Sequence, residues 1–291
     1  MASERGKQMR LFRSIRRAVL GVAIAGALAF AGLAVWLGMT GSGGGFADRF
    51  WLAIHDAQRL LYAELGLRLP GTPDLARFNE RLAEKGFKRG MPVFIRIFKR
   101  EQELELWLKK QDRFELFASY PVCRYSGALG PKLREGDYQA PEGFYSIGRG
   151  QLNPNSAYRR SFNLGFPNLY DAANGRTGSF VMVHGACMSA GCYAMTDPVI
   201  DEIWDLVTAA LDGGQKRFSV HVFPFRMTAP MLAAYGGGPW DGFWRDLKKG
   251  YDLFEASHTP PQVAVCAKRY AARNGTPGSS GEGELAERCE P

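Results

Sequence analysis

The chain has 291 residues, 46% of them hydrophobic, which is enough for one domain with a proper core and too many for a disordered chain. Its net charge of +8 would suit a nucleic-acid binder, but Arg5, Lys7, Arg10, Arg13, Arg16 and Arg17 against Glu4 place +5 of it in residues 1–17. The remainder is unremarkable for the length and argues against a nucleic-acid partner.

Ala18 to Met39 carry no charge. A helix of that length spans about 33 Å, the thickness of a bilayer core. With positive charge retained on the cytoplasmic side, residues 1–17 form a basic cytoplasmic segment and 18–39 a single transmembrane anchor. Everything after it then lies outside the cytoplasm, anchored in the inner membrane with the domain in the periplasm. A cleaved signal sequence with Ala29-Phe30-Ala31 at its end is the alternative. Residues 40–46 are a Gly/Ser linker, and 47–90 read as a helical prelude. Its first helix carries Trp51, Ile54, Leu61 and Leu65 near one face and closes at Gly66; its second follows Pro73, with Thr72 as N-cap and Gly86 as stop.

The period changes from 3.6 to 2 at Met91. Val93, Ile95 and Ile97 alternate with Phe94, Arg96 and Phe98, and Leu104, Leu106 and Leu108 with Glu103, Glu105 and Trp107, which predicts two strands; Phe114 to Val122 makes a third in an antiparallel meander. Lys99 to Gln102 and Lys109 to Asp112 are the polar turns between them. Tyr125 to Gly150 is Gly-rich and too long for a hairpin, and Asn153 to Thr177 is rich in Asn, Tyr and Arg. Asp197 to Leu211 has helical spacing with Pro198 in its first turn. Phe218 to Phe225 alternates as a strand carrying His221, a short helix lies around Trp244 and Leu247, and Val263 to Tyr270 closes a domain spanning 91–272. Residues 273–291 are Gly, Ser and Glu rich and read as a disordered tail.

The stretch with chemistry is Val181 to Asp197, VMVHGACMSAGCYAMTD. An apolar run ends at His184-Gly185, and a loop of small residues leads to Cys192. A thiol acts as a nucleophile only as thiolate, so it needs a base nearby and a backbone free to approach the substrate. His184 and Cys192 supply that pair, and Gly191 leaves backbone N–H groups open toward an oxyanion. Two other readings compete. Cysteine is often a plain buried apolar residue. His184, Cys187 and Cys192 are three potential zinc ligands, although no fourth follows at finger-like spacing. The five cysteines leave at least one thiol over; if it is Cys192, then Cys123, Cys187, Cys266 and Cys289 allow three pairings or none.

Val183-His184-Gly185 followed by Ser189-Ala190-Gly191-Cys192 resembles the YkuD-type L,D-transpeptidases. Ala140-Pro141-Glu142-Gly143-Phe144-Tyr145, Gly130-Pro131-Lys132, Cys192 to Asp197 and Phe223-Pro224-Phe225-Arg226 extend the resemblance, which favours the branch often called YafK or DpaA. It implies an α+β, β-rich fold: an L,D-transpeptidase sheet sandwich with flanking helices, preceded by one transmembrane helix. It also implies a cysteine acyl-transfer enzyme acting on peptidoglycan stem peptides, with no metal and no cofactor. Cys192 would be the nucleophile, His184 the base and the Gly185 carbonyl the group that holds the imidazole tautomer. Gly191 and Cys192 would supply oxyanion N–H groups, and Ser189 would shape the loop. Lys132, Arg134, Gly143, Phe144 and Tyr193 are the candidate substrate contacts. The sequence departs from the family at Ala190 and Ala194, where polar side chains are usual, and its loop is short. That favours hydrolysis of the link between the stem diamino acid and a wall-attached outer-membrane protein's lysine, with cross-linking transpeptidation as the alternative. A membrane-tethered binding module without catalysis is the reading from another class.

Overall fold

In the computed structural model of the chain, residues 45–276 and 278–280 are described, with side chains from Ile54 onward. The anchor at 18–39, the basic segment 1–17 and most of the tail therefore lie outside the described residues. No helix among the described residues is long and apolar enough to cross a membrane. The chain divides into two units, Met1–His55 and Asp56–Pro291. Helix α1 (Gly45–Glu64) crosses that boundary, and the second unit holds both large sheets and the remaining helices.

A turn of 3-10 helix (Leu75–Arg77) leads into α2 (Phe78–Glu84). The cap is Asp74 and not Thr72: its carboxylate accepts the Ala76 N–H at 3.3 Å, so the helical turn starts two residues later than Pro73 suggests.

The first sheet has the order β3-β2-β1-β10-β5, from β1 (Val93–Phe98), β2 (Glu103–Lys110), β3 (Arg113–Pro121), β5 (Gly143–Gly148) and β10 (Arg217–Phe223). Strands β1 and β10 are parallel and the rest antiparallel, so the sheet is mixed. Strand β1 is buried along its whole length because it is central and covered on both sides. Val93, Ile95 and Ile97 enter one apolar cluster, while Phe94 and Phe98 enter clusters on the opposite face.

The second sheet has the order β4-β9-β8-β7-β6, from β4 (Arg124–Tyr125), β6 (Leu152–Ser156), β7 (Arg159–Asn163), β8 (Met182–His184) and β9 (Tyr193–Ala194). The stretch read as Asn-, Tyr- and Arg-rich thus holds a hairpin, β6 and β7, and then helix α3 (Leu169–Ala173) capped by Asn168. Phe162, Val183 and Tyr193 from this sheet share one buried cluster with Ile95 and Leu106 from the first. Helix α4 (Asp197–Asp212) adds Ile203 and Val207 to the same cluster, as its 3.6-residue spacing requires. After α5 (Ala229–Tyr235), helix α6 (Asp241–Ser257) brings Trp244, Leu247 and Tyr251 to the aromatic cluster of Phe98, Phe144 and Phe223. A hairpin of β11 (Gln262–Cys266) and β12 (Arg269–Arg273) closes the domain. The architecture is the expected β-rich α+β one, two sheets with helices outside them.

Lys99 to Gln102 form the expected turn between β1 and β2, but Lys99 does not face solvent. It is wholly buried, and its ammonium donates to the carbonyls of Ala128 (2.7 Å), Gly130 (2.9 Å) and Ala140 (3.0 Å) and to Glu142 (3.1 Å). Burial lowers its proton affinity and the Glu142 carboxylate opposes that. A buried cation is tolerated because every proton finds an acceptor. The result is a pinned loop, residues 126–142, lying against the nucleophile stretch: Tyr193 donates to the Pro141 carbonyl at 2.7 Å, and the Ser126 and Ser189 hydroxyls are 3.2 Å apart.

Candidate active site

Strands β8 and β9 run parallel, with Val183 beside Tyr193 and His184 beside Ala194. Cys192 immediately precedes β9 and lies next to Met182, whose N–H donates to its sulfur at 3.3 Å. Residues 182 and 184 share a strand face, so nucleophile and base candidates are offset by two residues across one strand pair, about 8 Å between Cα atoms. Both side chains line one cavity of about 430 Å³. Met182, Ser189 and Ala190 also line it, Asn153, Ser156 and Ser161 supply polar groups, and Tyr158, Phe180 and Met188 form an exposed apolar rim. Among the described residues, no charged side chain lines it.

The imidazole is fixed on one side. His184 Nδ1 lies 2.6 Å from the Gly185 carbonyl, which can only accept, so Nδ1 carries the proton and Nε2 keeps its lone pair. The Tyr158 ring lies tilted against it at 5.1 Å. Burial lowers the His184 proton affinity, partly offset by the Gly185 bond. Burial raises that of the Cys192 thiol, while the Met182 N–H and the charge of Lys132 pull the other way. Both shifts favour the uncharged forms, a neutral thiol and a neutral imidazole.

Gly185 and Gly191 are glycines for different reasons. Gly191 has φ +121°, outside the range of L side chains. At Gly185 the reason is space, since a Cβ would lie 2.5 Å from Asp197 Oδ1 and 2.8 Å from Arg159 Cβ.

The N–H groups of Gly191 and Cys192 do not stand open. They donate to Ser189 Oγ at 3.3 and 3.1 Å, and that hydroxyl donates to the Cys192 carbonyl at 2.7 Å. Ser189 closes the loop as a side-chain turn, and its hydroxyl occupies both donors.

Of the expected substrate contacts, none lines the cavity. Lys132 is buried with its ammonium bonded to Asp137 and to the Arg134 carbonyl, and it touches Cys192 only through its field. The Arg134 N–H lies in the same turn, donating to Asp137 at 3.0 Å. Tyr193 points into the core because alternation turns it away from the face that Cys192 uses. Phe144 lies among His221, Phe223 and Tyr270, and a side chain at Gly143 would meet the Tyr270 hydroxyl at 2.7 Å. His221 lies in the first sheet, buried among aromatic rings and without a partner for Nδ1, and burial drives its pKa down to about 3. The zinc alternative loses a ligand, since Cys187 is bonded to Cys123. Cys266 is disulfide-bonded as well.

Ser161 was not visible from the sequence. It is 1% exposed, lines the cavity opposite His184 in the β7–β8 register, and its hydroxyl has no hydrogen-bond partner. Tyr158, Phe180 and Met188 were missed too, because an exposed aromatic or Met carries no mark in sequence that says which cavity it borders.

A thiol and an imidazole sharing a cavity at adjacent strand ends of a two-sheet α+β domain define a cysteine–histidine site. The family model of the YkuD L,D-transpeptidase catalytic domain matches residues 92–222. YafK of Escherichia coli (strain K12) is 49% identical over 206 residues, covering 71% of this chain and 81% of that protein, and the YafK of Escherichia coli O157:H7 gives the same figures. The chain belongs to the YkuD L,D-transpeptidase family. Among solved structures, the helical cell shape determining protein Pgp2 (K307A mutant) from Campylobacter jejuni is 22% identical with a TM-score of 0.38, covering 52% of this chain and 56% of that one. Bd1075 of Bdellovibrio bacteriovorus is 20% identical with a TM-score of 0.33, covering 46% and 49%.

Proposed function

We propose that the protein is a peptidoglycan-modifying cysteine enzyme, tethered by residues 18–39 to the inner membrane with its domain in the periplasm, that opens an amide bond at the diamino acid of a stem peptide. The observation that carries this reading is the cavity lined by both Cys192 and His184, an imidazole whose Nδ1–H is already committed to Gly185. Sγ attacks the carbonyl carbon as His184 Nε2 takes the thiol proton. The C–N bond then breaks, Nε2 returns the proton to the leaving amine, and a thioester remains on Cys192. Water attacks the thioester with His184 again as base, releasing the acid and the free thiol.

Water as acceptor is supported by two features. Ala190 on the cavity lining offers no polar group to grip a second stem. The unpartnered Ser161 hydroxyl beside His184 offers a hydrogen bond to an incoming water. The leaving group in this reading is the lysine of a wall-attached outer-membrane protein. The test gives the full-length protein two substrates, a tetrapeptide muropeptide with excess acceptor stems and a muropeptide carrying a lysine-linked peptide, with products read by mass spectrometry. Release of the lysine peptide, lost in Cys192→Ser and in His184→Ala, is expected. Cross-linked dimers from the first with the second untouched would make the protein a cross-linking transpeptidase.

A further inference from the structure

The Gly185 carbonyl that accepts from His184 belongs to the peptide group joining residues 185 and 186. The other end of that same group, the Ala186 N–H, donates to Asp197 Oδ1 at 2.8 Å. A trans peptide points its C=O and N–H in opposite directions. The order is therefore imidazole, peptide, carboxylate, with hydrogen bonds of 2.6 and 2.8 Å on either side. We propose that Asp197 is a positioning residue for the base, acting on His184 through one intervening peptide group, so that nucleophile, base and carboxylate form a triad with a peptide inserted in it.

Several features hold the arrangement. Asp197 is the first residue of α4, and the strand pair below keeps it in place: Met195 donates to the His184 carbonyl at 2.7 Å and Cys187 to the Met195 carbonyl at 3.3 Å. Gly185 N–H donates to the Tyr158 carbonyl at 3.0 Å. Ala186, the donor to Asp197, is held at φ +67°. The lack of a Cβ at Gly185 is what lets Oδ1 approach, given the 2.5 Å contact any side chain there would make.

The physical effect is polarisation. A carboxylate on the N–H end draws the peptide dipole toward a more negative carbonyl oxygen, which strengthens the bond from Nδ1–H as the ring becomes imidazolium. No proton passes to Asp197; Nδ1 keeps its proton through the cycle. Against the ring stands the Tyr158 hydroxyphenyl group, and the Cys192 thiol lines the same cavity. Around the carboxylate stands Arg159, which is itself ion-paired with Asp201. The carboxylate lies within about 8 Å of Nδ1 and is exposed, so its influence is modest, about threefold to tenfold in rate.

The inference rests on the reading of His184 as the base, and the test separates the two. In full-length Asp197→Asn, which keeps an oxygen acceptor and loses the charge, kcat/KM is expected to fall about threefold to tenfold. The acid limb of its pH profile and the His184 imidazole titration followed by NMR should both move to lower pH. Asp197→Ala, which also frees the Ala186 N–H, should lose more, and Asp201→Asn should leave the imidazole titration unchanged. Asp197→Asn with the wild-type titration and pH profile would overturn the inference while leaving the base intact. Activity surviving in His184→Ala would instead overturn the reading on which it rests.

Discussion

The Cys123–Cys187 disulfide joins the residue before β4 to the loop that runs from His184 to Cys192. Both sulfurs are buried against Leu69, with Leu60, Tyr62 and Ala63 packed beside them. Replacing both cysteines by Ala removes the cross-link without placing an unpaired hydroxyl in an apolar cluster, which the Ser pair would do. The cross-link closes a separation of 64 residues. In the chain-entropy picture a closed loop of that size lowers the entropy of the unfolded chain by an amount worth about 4 kcal/mol at 25 °C. A domain of this size shifts in Tm by about 2–4 °C per kcal/mol. Cys123→Ala/Cys187→Ala should therefore melt about 10 °C below the wild type, with a matching fall in urea midpoint and a larger m-value, because the unfolded chain freed of its cross-link exposes more surface. The assay is thermal and urea unfolding of the oxidised proteins followed by tryptophan fluorescence. A Tm shift under about 2 °C would refute the argument, because it would mean the cross-link does not restrict the unfolded chain.

Burial sets two pH dependences. With the Cys192 thiol pushed above its ordinary 9.0 and His184 pulled below 6.5, the free enzyme at pH 7 holds a neutral pair. Iodoacetamide should alkylate Cys192 fast only above pH 9, and the acid limb of kcat/KM should lie below 6.5; a rate plateau already reached at pH 7 would show a standing thiolate and contradict this. His221 stays neutral in the fold down to about pH 3 and protonates near 6.5 when unfolded. As pH falls through that window the unfolded state binds a proton that the native state refuses, so stability declines by about 1.4 kcal/mol per pH unit on this account. His221→Phe should flatten the slope of unfolding free energy between pH 6.5 and 4, and an unaltered slope would remove His221 from the explanation.

What could be read from the sequence was whatever local period or local chemistry encodes. The strands β1 to β3 were legible because their side chains alternate with period 2 in β-branched, Leu and aromatic residues, and α4 because Ile200, Ile203, Trp204 and Val207 recur at helical spacing after Pro198. His184 and Cys192 were legible because a strand ending in His-Gly and a loop of small residues before Cys are local motifs.

The partnerships were decided only by tertiary structure, since each depends on which strands pair and in what register. Cys123 meets Cys187 because β4 pairs with β9, and four cysteines in a sequence do not reveal that. Ser161 borders the site because β7 pairs with β8, and Asp197 reaches the Gly185–Ala186 peptide because α4 starts beside the end of β8. Lys99 sits in the turn that the sequence marks, yet its burial was not legible because its four acceptors come from a loop some 30 to 40 positions away. Lys132, Phe144 and Tyr193 came from motifs that the family resemblance marks, yet strand alternation and ion pairing turn them into the core. A side chain's type and its neighbours in sequence say what it can do chemically; the face it presents is set by contacts that no local pattern records.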